Sequence, residues 1–551
     1  MAHFFTGYFF IKMIVALVIF FFTGILFFSL RRKRYTLALL ASLLILITGV
    51  IIHIFFGYFH ADSAGHAWGN EDAFIGYRYS QNLAMGNGFV FNPGERVEGY
   101  TNFLYLLCMA AGYLIAGMNN LYIFSCLFNV ACIIIALIIF YIYVASRLGK
   151  AMAAIAAFLF SLSTSIWIFV ASGLETPLVL LIQLAMWIAV ERTVEKQQPR
   201  DIFLLCLTFI LSILVRADGF IMPAVALFYL LLKGQKQSLL YGSITVAATL
   251  FLYLTWRYSY YGYLLPNTYY VKICGPLAQR LTSASWQFTR IIFNNGLLAY
   301  ILAFAVAIIE IVVNSFKRKR LGLRNVSFEV LFAVALLVYW FYVGGDHYRE
   351  RFLLVLFPLG IFTLLRFIAG SAPQKIFLFL IILIVALQLK PLTIFDSRFD
   401  YSVSKYDCRI TLGRFLGQRH KGELLAVSAV GKIPYFSELK IVDMLGTNDL
   451  YIGHKKVDFF GEPAHNKFDA DYVLARKPDL IADWVEDAEN LDLINGMKRE
   501  KYTANYRPLY LLNTGKNSFC PNIVEINNLP KKDIINLVNR GYRYIVLEKK
   551  K

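Results

Sequence analysis

Two adjacent carboxylic acids, Glu71 and Asp72, follow an apolar run and begin a polar, glycine-rich stretch. A carboxylate at the edge of a membrane is costly unless it is solvated or used. The stretch continues to residue 102 and adds Glu95 and Glu98 to the same loop. Because a carboxylate can accept a proton from a substrate hydroxyl, we take Glu71 and Asp72 as the candidates for chemistry.

The residues around this pair predict one short helix over 71–85. Asn70 is a typical N-cap residue, and the glycines of 86–88 are typical of a helix end. Glu71 and Arg78 then share one helix face, while Asp72 stands about 100° round the axis. An alternative stays open: the two acids have only a structural role, because acids in a first helical turn interact favourably with the helix dipole.

The composition predicts a polytopic α-helical membrane protein. Of 551 residues, 58% are hydrophobic and only 16% are charged, against roughly 25% charged in soluble domains. We predict about twelve spans between residues 9–30 and 376–390. The first run is followed by basic residues 31–34, the reverse of the order in a cleavable signal peptide, so we expect it to be retained as a span.

The net charge of +19 lies mainly in short loops between apolar runs. By the positive-inside rule these loops are cytoplasmic, so nucleic acid is not an expected partner. All of these basic loops lie on the cytoplasmic side only if the apolar stretch 103–117 lies on, or dips into, the outer surface of the membrane without crossing it. With that choice, the first large loop and the C-terminal region lie outside the cytoplasm.

Four segments are predicted: two spans (1–57), an outer loop with the acid pair (58–120), the remaining spans (121–390) and an extracytoplasmic soluble α/β domain (391–551). The last has ordinary soluble composition. Its predicted strands are 423–429, 439–444, 508–513, 522–526 and 542–548, with a helix near 530–540 closed by Gly541. Gly431 and Lys432 resemble a phosphate loop only superficially, so nucleotide binding is not predicted.

The seven cysteines contain no CxxC pair, so no zinc or redox motif is predicted. Pairing of Cys408 with Cys520 outside the cytoplasm stays open. Asp346 and His347 have metal-ligand chemistry but no spaced partner histidine, so we predict no metal ligand set and leave a divalent cation open.

Further polar motifs fall in the loops assigned to the outer side. They are Ser172-Gly173-Leu174-Glu175-Thr176-Pro177, Val215-Arg216-Ala217-Asp218-Gly219, Leu265-Pro266-Asn267-Thr268-Tyr269-Tyr270-Val271-Lys272 and Gly344-Gly345-Asp346-His347-Tyr348-Arg349. Loops at the mouths of several helices commonly build one site. We therefore expect these motifs to act together with the acid pair.

The chain resembles the mycobacterial arabinofuranosyltransferases that add terminal β-arabinofuranose to cell-wall arabinan, and their uncharacterised bacterial relatives. The resemblance lies in the run from Glu71 to Asn102, in these four motifs in the same order, and in residues 442–449 and 463–466. The likeness covers most of the chain after residue 58. It implies the GT-C fold, in which multi-span enzymes take sugar from a polyprenyl-phosphate donor and transfer it on the outer side. This family usually begins the loop with two aspartates. Because the first is Glu71 here, the resemblance places the catalytic role on Asp72 and leaves Glu71 as the second candidate.

The resemblance implies transfer of arabinofuranose or a similar sugar to a cell-envelope glycan or lipid acceptor, in the inner membrane of a bacterium. Asp72 is expected to act as general base with inversion at the sugar. Cations should surround the leaving phosphate: Arg78, Arg216, Lys272, His347 and Arg349. The remaining candidates for substrate binding are Glu95, Glu98, Glu175, Asp218, Asn267 and Asp346. For Glu175 and Asp218, simple pairing with Arg216 stays an equal alternative.

Two other classes of function stay open. A transporter or flippase of a lipid-linked sugar would also have about twelve spans, although transporters tend to place polar groups at mid-membrane in broken helices. A non-catalytic protein of envelope polysaccharide assembly would use its C-terminal domain as the working part.

Overall fold

The computed structural model describes residues 2–59, 70–294, 297–317, 326–371, 385, 408–461, 464–493, 497–513 and 523–550. Most of the predicted span 376–390, Cys520 and the side chains of Cys408 and Arg349 lie outside the described part. The chain forms two compact units. The helical unit comprises Met1–Ile54, Cys126–Thr255 and Arg280–Asp400, and the mixed unit comprises Phe55–Ser125, Trp256–Gln279 and Tyr401–Lys551.

The N-terminal two thirds of the chain are almost entirely helical, as its composition predicts. The helices are Ala2–Arg31, Tyr35–Phe59, Glu71–Ala84, Phe103–Leu148, Lys150–Ser161, Thr164–Ala171, Thr176–Lys196, Pro199–Val215, Ile221–Leu232, Lys236–Tyr261, Asn267–Lys272, Leu277–Asn294, Leu297–Lys317, Phe328–Val343 and Leu356–Ser371, with a 3₁₀ turn at Arg349–Leu353. This arrangement fits a membrane-embedded helical protein.

Within the described residues, four helices are long and apolar enough to cross a membrane. A fifth candidate is the pair Lys150–Ser161 and Thr164–Ala171, which is bent by 54° at its break. Several shorter apolar helices accompany them, such as Phe328–Val343 and Leu356–Ala369. The count of twelve spans therefore stays a prediction.

A kink at Gly117 divides the helix Phe103–Leu148. Its φ of 72° and ψ of 176° lie where residues with a Cβ are strained, so glycine allows the chain to change direction here. The predicted break between segments 103–117 and 121–145 is confirmed. The position of the first segment on the outer surface stays a prediction.

The predicted helix over 71–85 is confirmed as Glu71–Ala84, which we call the acid helix. The side chain of Asn70 accepts a hydrogen bond from the backbone N–H of Asp72 at 3.1 Å, as an N-cap residue does. At the other end Gly86 has a φ of 84°. The acid helix therefore has defined termini of its own.

The C-terminal region forms a seven-stranded mixed sheet, as predicted for an α/β domain. Its strands are β1 (Leu424–Val427), β2 (Lys440–Asp443), β3 (Leu480–Asp487), β4 (Asp492–Leu493), β5 (Tyr506–Leu512), β6 (Ile523–Glu525) and β7 (Tyr544–Lys549). The order is β2-β1-β3-β7-β5-β6, with β4 beside β3. Strand β1 is parallel to both neighbours, whereas β7 is antiparallel to β3 and β5.

The five predicted strands are confirmed, and β3 and β4 were not predicted. Strand β3 has Ala482 and Asp483 at its centre, and both residue types are depleted in strands. Asp483 is nevertheless fully buried, because it accepts a hydrogen bond from the Ser428 hydroxyl on the neighbouring chain segment. Such a partner is not visible from local propensity.

Helices cover both faces of the sheet. One face packs against the helices Ala470–Ala475, Arg499–Tyr502 and Lys531–Asn539. The last of these confirms the helix predicted near 530–540. The other face packs against the helix Cys408–Arg419 and also against the acid helix, through Ile75 and Tyr79. The acid helix therefore belongs to the core of a sheet that is more than 300 residues away in sequence.

We predict that Gly446→Ala lowers the melting temperature of the purified protein clearly more than Gly422→Ala. Both glycines have positive φ, 84° and 88°, so each substitution should cost about 1–2 kcal/mol in backbone strain. A Cβ at Gly446 would also lie 2.6 Å from the backbone nitrogen of Gly453, whereas nothing lies within 4 Å at Gly422. Equal melting temperatures of the two variants would contradict this close packing.

Candidate functional site

The two acids of the acid helix have different surroundings. One carboxylate oxygen of Glu71 accepts hydrogen bonds from the backbone N–H groups of Gly431 and Lys432, at 2.8 and 2.9 Å. The other oxygen pairs with Arg409 at 3.2 Å. Glu71 therefore ties the acid helix to the turn after β1, where the short helix Lys432–Ser437 begins.

Asp72 is half-buried and its carboxylate makes no such contacts. Its backbone N–H bonds to the side chain of Asn70. Among the described residues, no hydrogen bond or ion pair reaches its side-chain oxygens. Of the two acids, Asp72 is the one whose oxygens stay available to an incoming group.

Arg78, nearly two turns further along the acid helix, is almost fully buried. Its guanidinium donates to the carbonyl oxygens of Phe91 at 2.8 Å, Leu439 at 2.6 Å and Pro434, and approaches the side-chain oxygen of Asn92 at 3.3 Å. Burial lowers the pKa of Arg78 to about 10, against a raising effect from Glu438. This placement favours a positioning role over the predicted contact with phosphate.

A turn after β2 is organised around the buried carboxylate of Asp443. It accepts hydrogen bonds from the backbone N–H groups of Leu445, Gly446 and Asn448, and from the Asn448 side chain. Burial raises the pKa of Asp443 to about 6, although these bonds act to lower it. The side-chain N–H₂ of Asn267 donates to the carbonyls of Gly446 and Thr447, at 2.7 and 2.9 Å.

This turn contacts the loop that follows the acid helix. The Tyr79 hydroxyl lies 2.7 Å from the carbonyl oxygen of Val97 and 3.1 Å from Oδ1 of Asn448, and it accepts from the backbone N–H of Gly99. A Cβ at Gly99 would overlap the Asn448 side chain. The loop is therefore packed directly against the turn, and the hydrogen bonds from the Asn267 side chain hold the turn in place.

Glu98 and Glu95, in the same loop, are both paired. Glu98 forms a buried ion pair with Arg257 at 2.9 Å, and burial raises the pKa of Glu98 to about 7, against the lowering effect of Arg257. Glu95 pairs with Lys440 at 2.9 Å. Burial acts to raise the pKa of Glu95, but hydrogen bonds from Lys440 and Asn92 outweigh it and the pKa is lowered.

In the helical unit, Arg216 links two of the predicted acids. It contacts Glu175 and Asp218, each at 2.7 Å. Its guanidinium also lies over the ring of Phe352, at 4.2 Å from the ring centre. Pairing of the two acids with Arg216, one of the two alternatives left open by the sequence, is therefore observed, and their binding to sugar stays a prediction.

A second buried ion pair lies against the same ring. Arg351 pairs with Asp346 at 3.0 Å, and its guanidinium lies 5.2 Å from the centre of the Phe352 ring. His347 is exposed and its ring contacts Tyr348. In the mixed unit, Lys272 is half-buried at the end of its short helix.

A narrow cleft in the helical unit lies beside these two ion pairs. Its polar lining contains Arg216, Asp218 and Arg351. The larger part of the lining is apolar and consists of Val179, Leu180, Val215, Ile221, Met222, Phe332, Leu336, Phe352, Leu354 and Val355. The cleft therefore combines a mainly apolar lining with two arginines, Arg216 and Arg351.

The predicted site residues divide between the two units. The mixed unit contains Glu71, Asp72, Arg78, Glu95, Glu98, Asn267 and Lys272, and the helical unit contains Glu175, Arg216, Asp218, Asp346, His347 and Arg349. In the part of the chain that the structure describes, no three His, Cys, Asp or Glu side chains are arranged to hold a metal ion. Arg409 and Asn92 contact site residues and were missed, since neither belongs to a recognisable local pattern.

Sequence comparison supports the predicted resemblance. Residues 400–528 match a family described as a domain of unknown function (DUF8728). The chain is 24% identical over 343 residues to the terminal β-(1→2)-arabinofuranosyltransferase of Mycobacterium tuberculosis, covering 54% of this chain and 53% of the relative. It is 26% identical over 323 residues to the enzyme of the same name from Corynebacterium glutamicum, covering 52% and 46%. The chain spans about half the length of these curated relatives.

Comparison of folds places the chain among GT-C structures. ArnT from Cupriavidus metallidurans, solved with undecaprenyl phosphate, has a TM-score of 0.51 at 12% identity, covering 91% of this chain and 97% of that one. The archaeal oligosaccharyltransferase AglB from Archaeoglobus fulgidus, solved with an inhibitory peptide and a dolichol-phosphate, has a TM-score of 0.53 at 9% identity, covering 91% and 75%. The GT-C fold implied by the sequence motifs is thereby supported.

We predict that Arg78→Met destabilises the protein severely. The substitution removes hydrogen bonds from a charged group to three buried carbonyl oxygens, and each such bond contributes about 1.5–3 kcal/mol. The carbonyls of Phe91 and Pro434 keep a second donor, the Asn82 side chain and the Glu438 backbone N–H respectively. Arg78→Lys should rescue only in part, because a single ammonium cannot replace the planar fork. Thermal unfolding in detergent is the measurement, with Arg507→Met as the matched control, since Arg507 is an exposed arginine paired with Glu548. A shift no larger than that of the control would contradict the positioning role.

Proposed function

We propose that this protein is a membrane glycosyltransferase that moves arabinofuranose or a similar sugar from a polyprenyl-phosphate donor to a glycan or lipid acceptor of the cell envelope. Transfer takes place on the outer side of a bacterial inner membrane, where the mixed unit lies. Asp72 acts as the general base and the sugar is inverted. The resemblance to terminal arabinofuranosyltransferases and the GT-C fold support this class of reaction.

The observation that carries the proposal is the different use of two neighbouring acids. Glu71 is engaged by two backbone N–H groups and Arg409, so its carboxylate is committed to holding the acid helix. Asp72 stands next to it on the same rigid helix, and no described group contacts its oxygens. An acid that is held in place but left unpaired suits a general base, which must be within hydrogen-bond reach of the proton it takes.

The proposed reaction is a single displacement. An acceptor hydroxyl oxygen attacks the anomeric carbon of the sugar while its proton passes to the carboxylate of Asp72. The bond between the anomeric carbon and the phosphate oxygen breaks, and the lipid phosphate leaves with the electron pair. Since attack and departure take place on opposite faces, the anomeric configuration is inverted.

The cleft of the helical unit fits a lipid-linked donor. Its apolar lining suits an isoprenoid chain, and a phosphate needs cationic N–H donors. Arg216 uses three of its N–H groups on Glu175 and Asp218, and a guanidinium has five. The remaining two can contact a phosphate oxygen while the carboxylates and the Phe352 ring hold the side chain in place.

The sugar and the acceptor are proposed from the relatives. ArnT and AglB have been solved with undecaprenyl phosphate and with a dolichol-phosphate, respectively. The names of the curated relatives specify arabinofuranose. The carboxylates of Glu175, Asp218 and Asp346 are proposed to bind sugar hydroxyls at the edge of the cleft.

We predict that Asp72→Asn reduces sugar transfer by about 10²–10⁴-fold, the usual range for loss of a general base, while the protein remains folded. Asparagine keeps the shape of the side chain but cannot take the proton. The matched control is Glu71→Gln, whose side-chain oxygen can still accept from Gly431 and Lys432, and which should keep most of its activity. The measurement is transfer of radiolabelled sugar from a synthetic polyprenyl-phosphate donor by purified enzyme, together with the melting temperature. Full turnover by Asp72→Asn would eliminate Asp72 as the base.

A second prediction separates an enzyme from a flippase. Cells that lack the protein should accumulate one polyprenyl-phosphate sugar, as measured by mass analysis of extracted lipids, because its consumption is blocked. Wild-type protein should remove the accumulated lipid and Asp72→Asn should not. A flippase or a non-catalytic assembly protein has no need of a base, so removal by both proteins would favour those alternatives.

A further inference from the structure

A row of exposed apolar side chains lies in the chain between the apolar helix Lys236–Tyr261 and the start of the helix Leu277–Asn294. Leu264 is 54% exposed and Leu265 is 39% exposed, and their neighbours share this exposure. The full set, which we call the linker patch, is Tyr263, Leu264, Leu265, Tyr269 and Leu277, all in the mixed unit. Five large apolar side chains within 15 residues are unusual on a surface that faces water, and such patches mark interaction sites.

A second segment of the mixed unit extends this surface. Phe459 is 49% exposed, and Phe468 is also exposed. The backbone N–H of Phe460 donates to the side chain of Gln279 at 2.7 Å, and the ammonium of Lys467 donates to the carbonyl oxygen of Tyr270 at 2.8 Å. These bonds attach residues 459–468 to the same chain segment that carries the linker patch.

The patch follows directly after a helix that is long and apolar enough to cross a membrane. In the most apolar 18-residue stretch of the helix Lys236–Tyr261, only 17% is buried within the protein, whereas the corresponding share for the helix Thr176–Lys196 is 61%. An apolar helix that exposes most of its surface in a membrane protein contacts acyl chains. The chain leaves this helix at Gly262 and enters Tyr263 and Leu264 directly. The patch therefore begins where the lipid-facing surface ends, at the depth where tyrosine is enriched.

We propose that the linker patch, with Phe459 and Phe468, inserts into the boundary between lipid headgroups and acyl chains. The occupant of this surface is lipid, because the surface is continuous with the lipid-facing helix. The insertion is an interfacial contact of the kind made by apolar side chains next to a membrane span.

Asn267 connects the segment that carries the linker patch to the loop that follows the acid helix. Asn267 lies inside the patch sequence, donates to the carbonyls of Gly446 and Thr447, and donates its backbone N–H to the carbonyl oxygen of Glu98 at 2.9 Å. The loop after the acid helix is thereby fixed to a segment that rests at the interface.

Photo-crosslinking in lipid nanodiscs tests the proposal. p-Benzoylphenylalanine replaces Leu264, Leu265 or Phe459, one position at a time in the full chain, and adducts are analysed by mass spectrometry after illumination. The matched control is Leu529, which is 38% exposed in the same unit but far from the patch in sequence. We expect lipid adducts at the three patch positions at least about tenfold above the control.

Two results would overturn the proposal: lipid adducts no more frequent than at Leu529, or adducts mainly to a second copy of the chain, which would make this surface a protein interface. A companion measurement needs no substitution. A photoactivatable lipid in the same nanodiscs should label the peptide containing residues 262–281 of the unmodified protein, and an unlabelled peptide would contradict lipid contact. Neither measurement depends on sugar transfer, so it stands or falls separately from the proposed enzymatic activity.

Discussion

The structure of the mixed unit depends on a buried guanidinium. Arg78 lies on the acid helix, and its guanidinium donates hydrogen bonds to carbonyls of two other chain segments, the loop at Phe91 and the region from Pro434 to Leu439. A charge so deeply buried persists only when its donors are satisfied. The contacts of Arg78 therefore fix the helix on the sheet, and with it the direction in which the first helical turn points.

Once the helix is fixed, its two acids can take different roles. Glu71 adds a second attachment, through the N–H groups at Gly431 and Lys432, so its carboxylate is engaged in holding the helix. Asp72 lies on the same helix, and none of the described residues contacts its side-chain oxygens. Preorganisation of this kind lets a carboxylate meet a substrate proton without first giving up another partner.

Much of this arrangement was readable from the sequence. The cap residue Asn70 and the glycines after residue 85 predicted the acid helix, and alternation of apolar residues predicted five strands, because both signals are local. Strand β3 was missed since Asp483 looks polar until its partner Ser428 is known.

The role of Arg78 could not be predicted for a related reason. Three of its four acceptors are backbone carbonyls, two of them about 360 residues away, and every residue type has such a carbonyl. No pattern of side chains announces the contact. The same holds for Asn267, which binds the turn at Gly446 through carbonyl oxygens. Sequence reasoning selected polar residues for the candidate site, but it could not distinguish a residue that positions other groups from one that would contact a substrate.

Chemical rescue is the most direct test of the central claim that Asp72, and not Glu71, supplies the working carboxylate. In Asp72→Gly the lost side chain leaves space for a small carboxylate, so formate should restore sugar transfer to the acceptor in a saturable manner. In Glu71→Gln, whose side-chain oxygen can still accept from Gly431 and Lys432, formate should restore nothing. Rescue confined to the Glu71 variant, or no response of the folded Asp72 variant to formate, would contradict the account.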